Sequence, residues 1–334
     1  MGESHEAAQE IARTARRAAE AAAGLEPAAA ARRLGEDGLL GVLAPEAVGG
    51  LALPLSAAAP VVAAAEAALV PVPLVEALLA ARLLAERQPD IAAAVVAGEA
   101  ICTAAGAGAL RSTGGRVAGV VGRAPLGAAA RWLIAPVEGG GAALLDLSAP
   151  GVAAEEERGL DLERPVARVA VDGAAAAALL PEDAALSTFR ADALLLRAAG
   201  ALGAAEHCMG RAIEHVTGRR QFGRPLVLFQ GLRFELARHK LALEGARAAL
   251  AHALSVAGQD PRGEGVARLV ARSACAEAAP LVIEGAIQLH GGMGFTWDLG
   301  LHRQLRRAKD AAAALDAVAA RAALADRLEQ AWAS

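Results

Sequence analysis

The 334-residue sequence contains no tyrosine, and aromatic residues make up 2% of it. Alanine takes their place. It favours helices and lets them pack closely, while blurring the polar–apolar pattern that separates one helix face from another. Cysteine is nearly absent: Cys102, Cys208 and Cys275 are odd in number and scattered, without metal or redox spacing. They read as reduced, small core residues of a cytoplasmic protein. No basic excess exists either. The formal charge of −4 excludes the basic face that a nucleic-acid binder needs. Arg, Glu or Pro interrupts each alanine-rich run, so no membrane span is expected. Gly2–Glu6 offer neither a basic stretch nor an apolar core, which argues against a secretory signal.

What is present is a globular composition, 55% hydrophobic and 21% charged, in a chain long enough for more than one core. Residues 6 to about 97 read as helices joined by short turns. From about 98 to 188 the texture changes. Short runs such as Arg116–Val121, Trp132–Ala135, Ala142–Leu147 and Val166–Val171 are punctuated by Gly, Pro and Asp, the pattern of a small antiparallel β domain. Glu155-Glu156-Glu157-Arg158 reads as a solvated loop, and Trp132 as a core residue. From Ser187 the helical period returns. Leu195, Leu202, Met209 and Val216 recur every seven residues, as do Leu236, Leu243 and Leu250. On the last helix Leu305, Ala308, Ala312, Leu315, Ala319 and Ala322 alternate steps of three and four. These stripes predict a bundle of long antiparallel helices, with Gln259–Gly263 separating its second helix from its third. The expected division is a helical domain over 1–97, a β domain over 98–188 and a four-helix bundle over 189–334.

Two stretches between helices carry the chemistry. Gly218–Leu226, followed by Phe229-Gln230, puts arginines and glycines around an aromatic. Arginine's planar fork suits phosphate oxygens. Gln288–Phe295 adds an amide side chain and a glycine pair along which a ligand can approach the backbone. Alone, each is equally a charged helix turn or a glycine-rich helix break.

Together they resemble the acyl-CoA dehydrogenase family. Its R-x-x-F-G-x-x-(I/L)-x-x-x-Q motif is matched by Arg219, Phe222, Gly223, Leu226 and Gln230. Its Q-x-x-G-G-x-G-(F/Y) turn is matched by Gln288, Gly291, Gly292, Gly294 and Phe295, and its R-x-A-K by Arg306, Ala308 and Lys309. The resemblance is strongest over these C-terminal helices. It implies a mainly α fold with a small middle β domain, an FAD cofactor, an acyl-CoA substrate and electron-transfer flavoprotein as electron acceptor. It also implies FAD contacts from Arg219, Phe222, Gln230, Gln288, Gly291 and Gly292.

The expected catalytic base is missing. Most of the family places a glutamate six residues after the lysine of R-x-A-K; here that residue is Leu315, with Asp316 beside it. A minority places it early in the first bundle helix, which here is Ala193, beside Asp192. A one-residue step turns a side chain by roughly 100°, so Asp316 reads as a solvent-facing or capping residue. Asp192 reads as a charge near a helix N-terminus. No catalytic residue is assigned. The segment near flavin and substrate, T-E-P-x-A-G-S-D in the family, has become Thr103–Leu110, and its W-I-(T/S) strand has become Ala124–Gly127. The retained half is what one subunit lends to its neighbour's flavin. That pattern resembles the smaller subunits of heteromeric bacterial acyl-CoA dehydrogenases, including those of steroid side-chain catabolism. A self-sufficient enzyme using Asp316 or another, displaced carboxylate, a homo-oligomer in place of the hetero-oligomer, and a non-catalytic binding or scaffold homologue are the alternatives.

Overall fold

The computed structural model describes the backbone of residues 2–259 and 261–333, and the side chains of 10–259 and 265–331. Five helices come first: α1 (Gly2–Ala22), α2 (Pro27–Glu36), α3 (Leu55–Ala67), α4 (Leu74–Leu84) and α5 (Pro89–Val96). Prolines open α2 and α5; there the missing N–H costs nothing and φ is already helical.

Strands follow: β1 (Cys102–Ala104), β2 (Arg111–Thr113), β3 (Arg116–Pro125), β4 (Trp132–Pro136), β5 (Ala142–Asp146), β6 (Val152–Glu157), β7 (Val166–Ala175) and β8 (Ala178–Leu180). They form two four-stranded sheets, ordered β1-β4-β5-β8 and β2-β3-β7-β6. Every pairing within them is antiparallel except β1 with β4, which is parallel. Alternate residues from both sheets (Val117, Val121, Leu133, Ala135, Ala143, Leu145, Val169 and Val171) fill a shared core, as a period of two requires.

That alternation corrects two expectations. With Leu133 and Ala135 turned into the core, Trp132 cannot join them; it is half-buried, with the Arg131 guanidinium 5.7 Å from its ring. Glu155-Glu156-Glu157 are not in a loop. They form the end of β6, paired to Arg168, Ala167 and Val166 of β7. Exposed charge on an edge strand blocks pairing with another chain, so the glutamates mark the edge rather than a break.

The remaining elements are α6 (Ala184–Gly218), a hairpin of β9 (Arg220–Gln221) and β10 (Arg224–Pro225), α7 (Gln230–Ser255), α8 (Pro261–Leu289), α9 (Leu301–Leu315) and α10 (Ala317–Ala333). Of the expected break at Gln259–Gly263, Asp260 lies outside the described residues, and α8 already begins at Pro261. Leu195, Leu202, Met209, Val216, Leu243 and Leu250 are buried, and Leu236 is half-buried. The last stripe is not one helix. Asp316 adopts a left-handed conformation (φ 45°, ψ 76°) that ends α9, and Ala319 and Ala322 beyond it are exposed. The chain divides into two compact units, Met1–Val61 with Val70–Ala193, and Val62–Leu69 with Leu194–Ser334.

One α7–α8 contact sets a constraint that patterning did not show. His239 is buried, and a Cβ on Gly285 would fall 1.9 Å from its Cε1. Among the described residues neither ring nitrogen has a hydrogen-bond partner, and Glu235 Oε2 lies 3.9 Å from Nε2. Burial, and then the nearby Arg238, hold the His239 pKa below its ordinary value. Gly285→Ala is therefore expected to destabilise the chain by about 1–3 kcal/mol through overpacking, although alanine favours helix. Thermal unfolding measures it, and an unchanged or raised Tm contradicts the contact. His239 is neutral in the fold, so its contribution holds above the unfolded pKa of about 6.5 and is lost as pH falls from there toward the depressed folded value.

Candidate functional site

α6 ends at Gly218, and Arg219 leads directly into the β9–β10 hairpin. Phe222 and Gly223 form its two-residue turn, with φ of 50° and 80°. Two positive φ values suit the twist of a tight hairpin, but they strain a bulky residue. The Phe222 side chain is 90% exposed. Arg224 stacks over Phe229, 4.1 Å from the ring centroid, and Phe222 meets the same ring edge-on. The Leu226 N–H donates to the Arg219 carbonyl at 2.9 Å, closing the hairpin.

The second stretch follows α8. Gly291 has φ +61° and starts a short 3₁₀ turn over Gly291–Phe295. His290 Nδ1 lies 2.7 Å from the Ala286 carbonyl and fixes the turn's entry. The ring of His215 on α6 stacks on His290, with centroids 4.6 Å apart, so α6 and α8 end together. The antiparallel pairing of α7 with α8, with His239 on Gly285, places Gln230 toward the same end as Gln288. Six sequence-nominated residues thus gather at one end of the helical unit: Arg219, Phe222, Gln230, Gln288, Gly291 and Gly292, all exposed. The sequence reading gave His215 no role, since a single histidine one turn before an arginine carries no pattern.

The arrangement fits a diphosphate-bearing cofactor. Among the described residues the exposed Arg219 guanidinium is engaged by no carboxylate or hydrogen-bond acceptor. A Cβ on Gly291 or Gly292 would meet nothing within 4 Å, so the backbone there is open to close approach.

The nominal base positions do not supply a base. Leu315 is fully buried, and Arg272 Nε and Nη2 donate to its carbonyl at 3.1 and 2.8 Å. The exposed Asp316 accepts a hydrogen bond from the Ala319 N–H at 3.0 Å, capping α10. Ala193 is half-buried. Asp192 departs from expectation: it lies more than two turns into α6, buried, with Oδ2 2.5 Å from Arg82 Nη2 on α4. The cap of α6 is Asp183, which accepts from the Leu186 N–H at 2.9 Å and pairs with Arg87 at 2.6 Å. The Leu186 bond, aided by Arg87, holds Asp183 below the usual carboxylate range.

Nor does the altered segment offer polar groups. Thr103 is buried, its hydroxyl donating to the Pro125 carbonyl at 2.7 Å, and Ala124 lies within the sandwich core. All three cysteines are free and buried. Burial pushes Cys208 and Cys275 up to about 12, far from a thiolate nucleophile. Among the described residues no cluster of metal-ligand types occurs, and no helix is long and apolar enough to cross a membrane.

Residues 184–314 match the family description "Acyl-CoA dehydrogenase, C-terminal domain". Over 283 residues the chain is 33% identical to acyl-CoA dehydrogenase IpdE2 of Mycobacterium tuberculosis (strain H37Rv), covering 84% of this chain and 79% of that protein. Among solved structures it is similar to a chain of the Tcur3481-Tcur3483 steroid ACAD, at 29% identity, 99% coverage of both chains and a TM-score of 0.88. A chain of the ChsE4-ChsE5 complex from Mycobacterium tuberculosis is 26% identical, with 97% of both chains covered and a TM-score of 0.88. With the helix–sandwich–bundle order, the arginine hairpin and the glycine turn in place, the chain belongs to the acyl-CoA dehydrogenase family, whose cofactor is FAD.

Proposed function

We propose that this chain is a subunit of a heteromeric acyl-CoA dehydrogenase, lending the phosphate-binding side of an FAD site to a homologous partner chain that carries the base. The observation that carries it is an asymmetry. Arg219, Phe222, Gln230, Gln288, Gly291 and Gly292 are gathered and open at one end of the C-terminal unit, while Leu315 stands where a carboxylate belongs.

The reaction removes a proton from the α-carbon of an acyl-CoA thioester while the β-hydrogen leaves as hydride; FAD, when bound, supplies the hydride acceptor. Arg219 would pair with a phosphate oxygen, and the Gly291–Gly292 backbone would lie against the cofactor. Proton abstraction needs a positioned, desolvated carboxylate, and the partner supplies it. The three parts, residues 1–97, 98–188 and 189–334, divide this work, and the last carries the lent surface. Exposed apolar side chains mark where a partner covers it: Phe234 and Leu241, seven residues apart on α7, with Phe222 and Phe295 beside the two motifs. The likeness to chains of the Tcur3481-Tcur3483 steroid ACAD and the ChsE4-ChsE5 complex supports a two-chain assembly and a steroid-derived acyl-CoA as substrate class. Electron-transfer flavoprotein accepts the electrons, and the assembly works in the cytoplasm.

Arg219→Ala tests the reading. In the assembled complex it is expected to weaken FAD retention by about 1.5–3 kcal/mol, the worth of a charge-assisted bond. Flavin content after gel filtration measures it, and stoichiometric FAD in the variant removes Arg219 from the site.

A further inference from the structure

His215 and His290 face each other at the bundle end where the arginine and glycine motifs meet, with ring centroids 4.6 Å apart and planes 30° from parallel. His290 is buried, and its Nδ1 lies 2.7 Å from the Ala286 carbonyl. A carbonyl can only accept, so Nδ1 carries a proton in this contact. That bond sets the ring immediately before Gly291. His215 stands one turn before Arg219 on α6, and its own carbonyl accepts the Arg219 N–H at 2.8 Å. The stack therefore links the helix end that aims the arginine to the residue that starts the glycine turn.

We infer that His215 is a positioning residue for the cofactor: its uncharged ring, stacked on His290, holds the Gly291–Gly292 turn in register with Arg219. This rests on the reading that the two motifs grip a flavin. Opposite His215 stands His290, just past the end of α8, and just past the end of its own helix stands Arg219. Burial, then His290, then Arg219 keep its pKa below the ordinary histidine value, and no carboxylate acts on it. A proton on His215 would place a cation beside Arg219 and against a second imidazole. The stack is intact above the unfolded pKa of about 6.5 and weakens as pH falls from there toward the depressed folded value. Acid should thus loosen the turn, and with it FAD.

Two variants of the full-length chain separate ring from charge. His215→Phe keeps a flat ring and abolishes titration; His215→Ala removes the stack. In the purified assembly, FAD affinity measured by flavin fluorescence is expected to fall about three- to tenfold between about pH 7.5 and 5.5 in the parent. It should stay flat in His215→Phe and be about tenfold weaker at every pH in His215→Ala. A second readout needs no flavin: the Gly291 and Gly292 amide resonances of the full chain should shift over the same pH range in the parent and not in His215→Phe. Identical glycine titration in the parent and in His215→Phe overturns the positioning role. FAD binding that tightens on acidification, and loses that response in His215→Phe, makes His215 a phosphate ligand and also overturns it. If the glycine amides titrate as expected but neither His215→Ala nor Arg219→Ala alters FAD binding, the stack stands and the flavin reading fails.

Discussion

Arg307→Met is expected to destabilise the chain by about 3–5 kcal/mol, the loss seen when one member of a buried ion pair is removed. Arg307 on α9 is 1% exposed, and its Nε lies 3.4 Å from Glu66 Oε2 on α3, whose carboxylate is buried with it. Beside them the Gln304 amide donates to the Ala67 carbonyl at 3.4 Å. These residues all belong to the C-terminal unit, which includes Val62–Leu69, the end of α3 and the two residues after it. Removing the cation takes the Arg307 ion pair from a carboxylate that stays buried. The double variant Glu66→Leu with Arg307→Met should recover most of the loss, because replacing both charges by apolar groups is often neutral. Denaturant unfolding of the parent, both single variants and the double variant gives the coupling directly. A single-variant loss below about 1 kcal/mol would mean that the pair behaves like a solvated surface bridge.

That buried charge shows where sequence reading ran out. In α9 the apolar stripe through Leu305, Ala308, Ala312 and Leu315 marks the helix, yet the buried face also carries Gln304 and Arg307. An arginine in a sequence reads as surface until a carboxylate from a distant helix is known to meet it. Glu66 is such a partner, and no spacing rule joins α3 to α9. His239 was hidden for a related reason: its place in the core depends on Gly285, a residue whose contribution is the side chain it lacks.

Other features were legible because local chemistry decides them. The change from helical to alternating texture finds its strands between Cys102 and Leu180, since period two and period 3.6 bury different residues. Arg219, Phe222, Gly291 and Gly292 lie in short breaks between long helices, where arginine and glycine stand out against alanine. The end of α9 was not legible. Its three–four stripe runs straight through Asp316 into α10, and alanine at 319 and 322 is as acceptable in water as in a core. Only the left-handed Asp316 and the cap it gives Ala319 separate the two helices. Asp192 is no helix-end charge because α6 begins at Ala184, capped by Asp183; Asp192 lies further in, buried and paired with Arg82.

The same break in the chain governs the expected catalytic behaviour. The full chain alone is expected to show no measurable α,β-dehydrogenation, because losing a positioned general base costs on the order of a hundred- to ten-thousand-fold in rate. Leu315 is buried, with its carbonyl held by Arg272, and has no group to take a proton. Asp316 does have a carboxylate, but it is exposed and bonded to the Ala319 N–H. A carboxylate exposed to water and engaged as a helix cap is neither desolvated nor positioned to take an α-proton. Asp316→Asn should therefore leave the turnover of the assembled complex unchanged, because asparagine caps a helix as well as aspartate does. Leu315→Glu should not create activity in the isolated chain, for Thr103 is bonded into the sandwich and Ala124 is packed in its core. Turnover with an acyl-CoA and an artificial electron acceptor, measured on the chain alone and on the assembly, decides the matter. A chain that binds stoichiometric FAD alone, oxidises an acyl-CoA and loses that activity in Asp316→Asn would be a self-sufficient enzyme, and the partner would not be the source of the base.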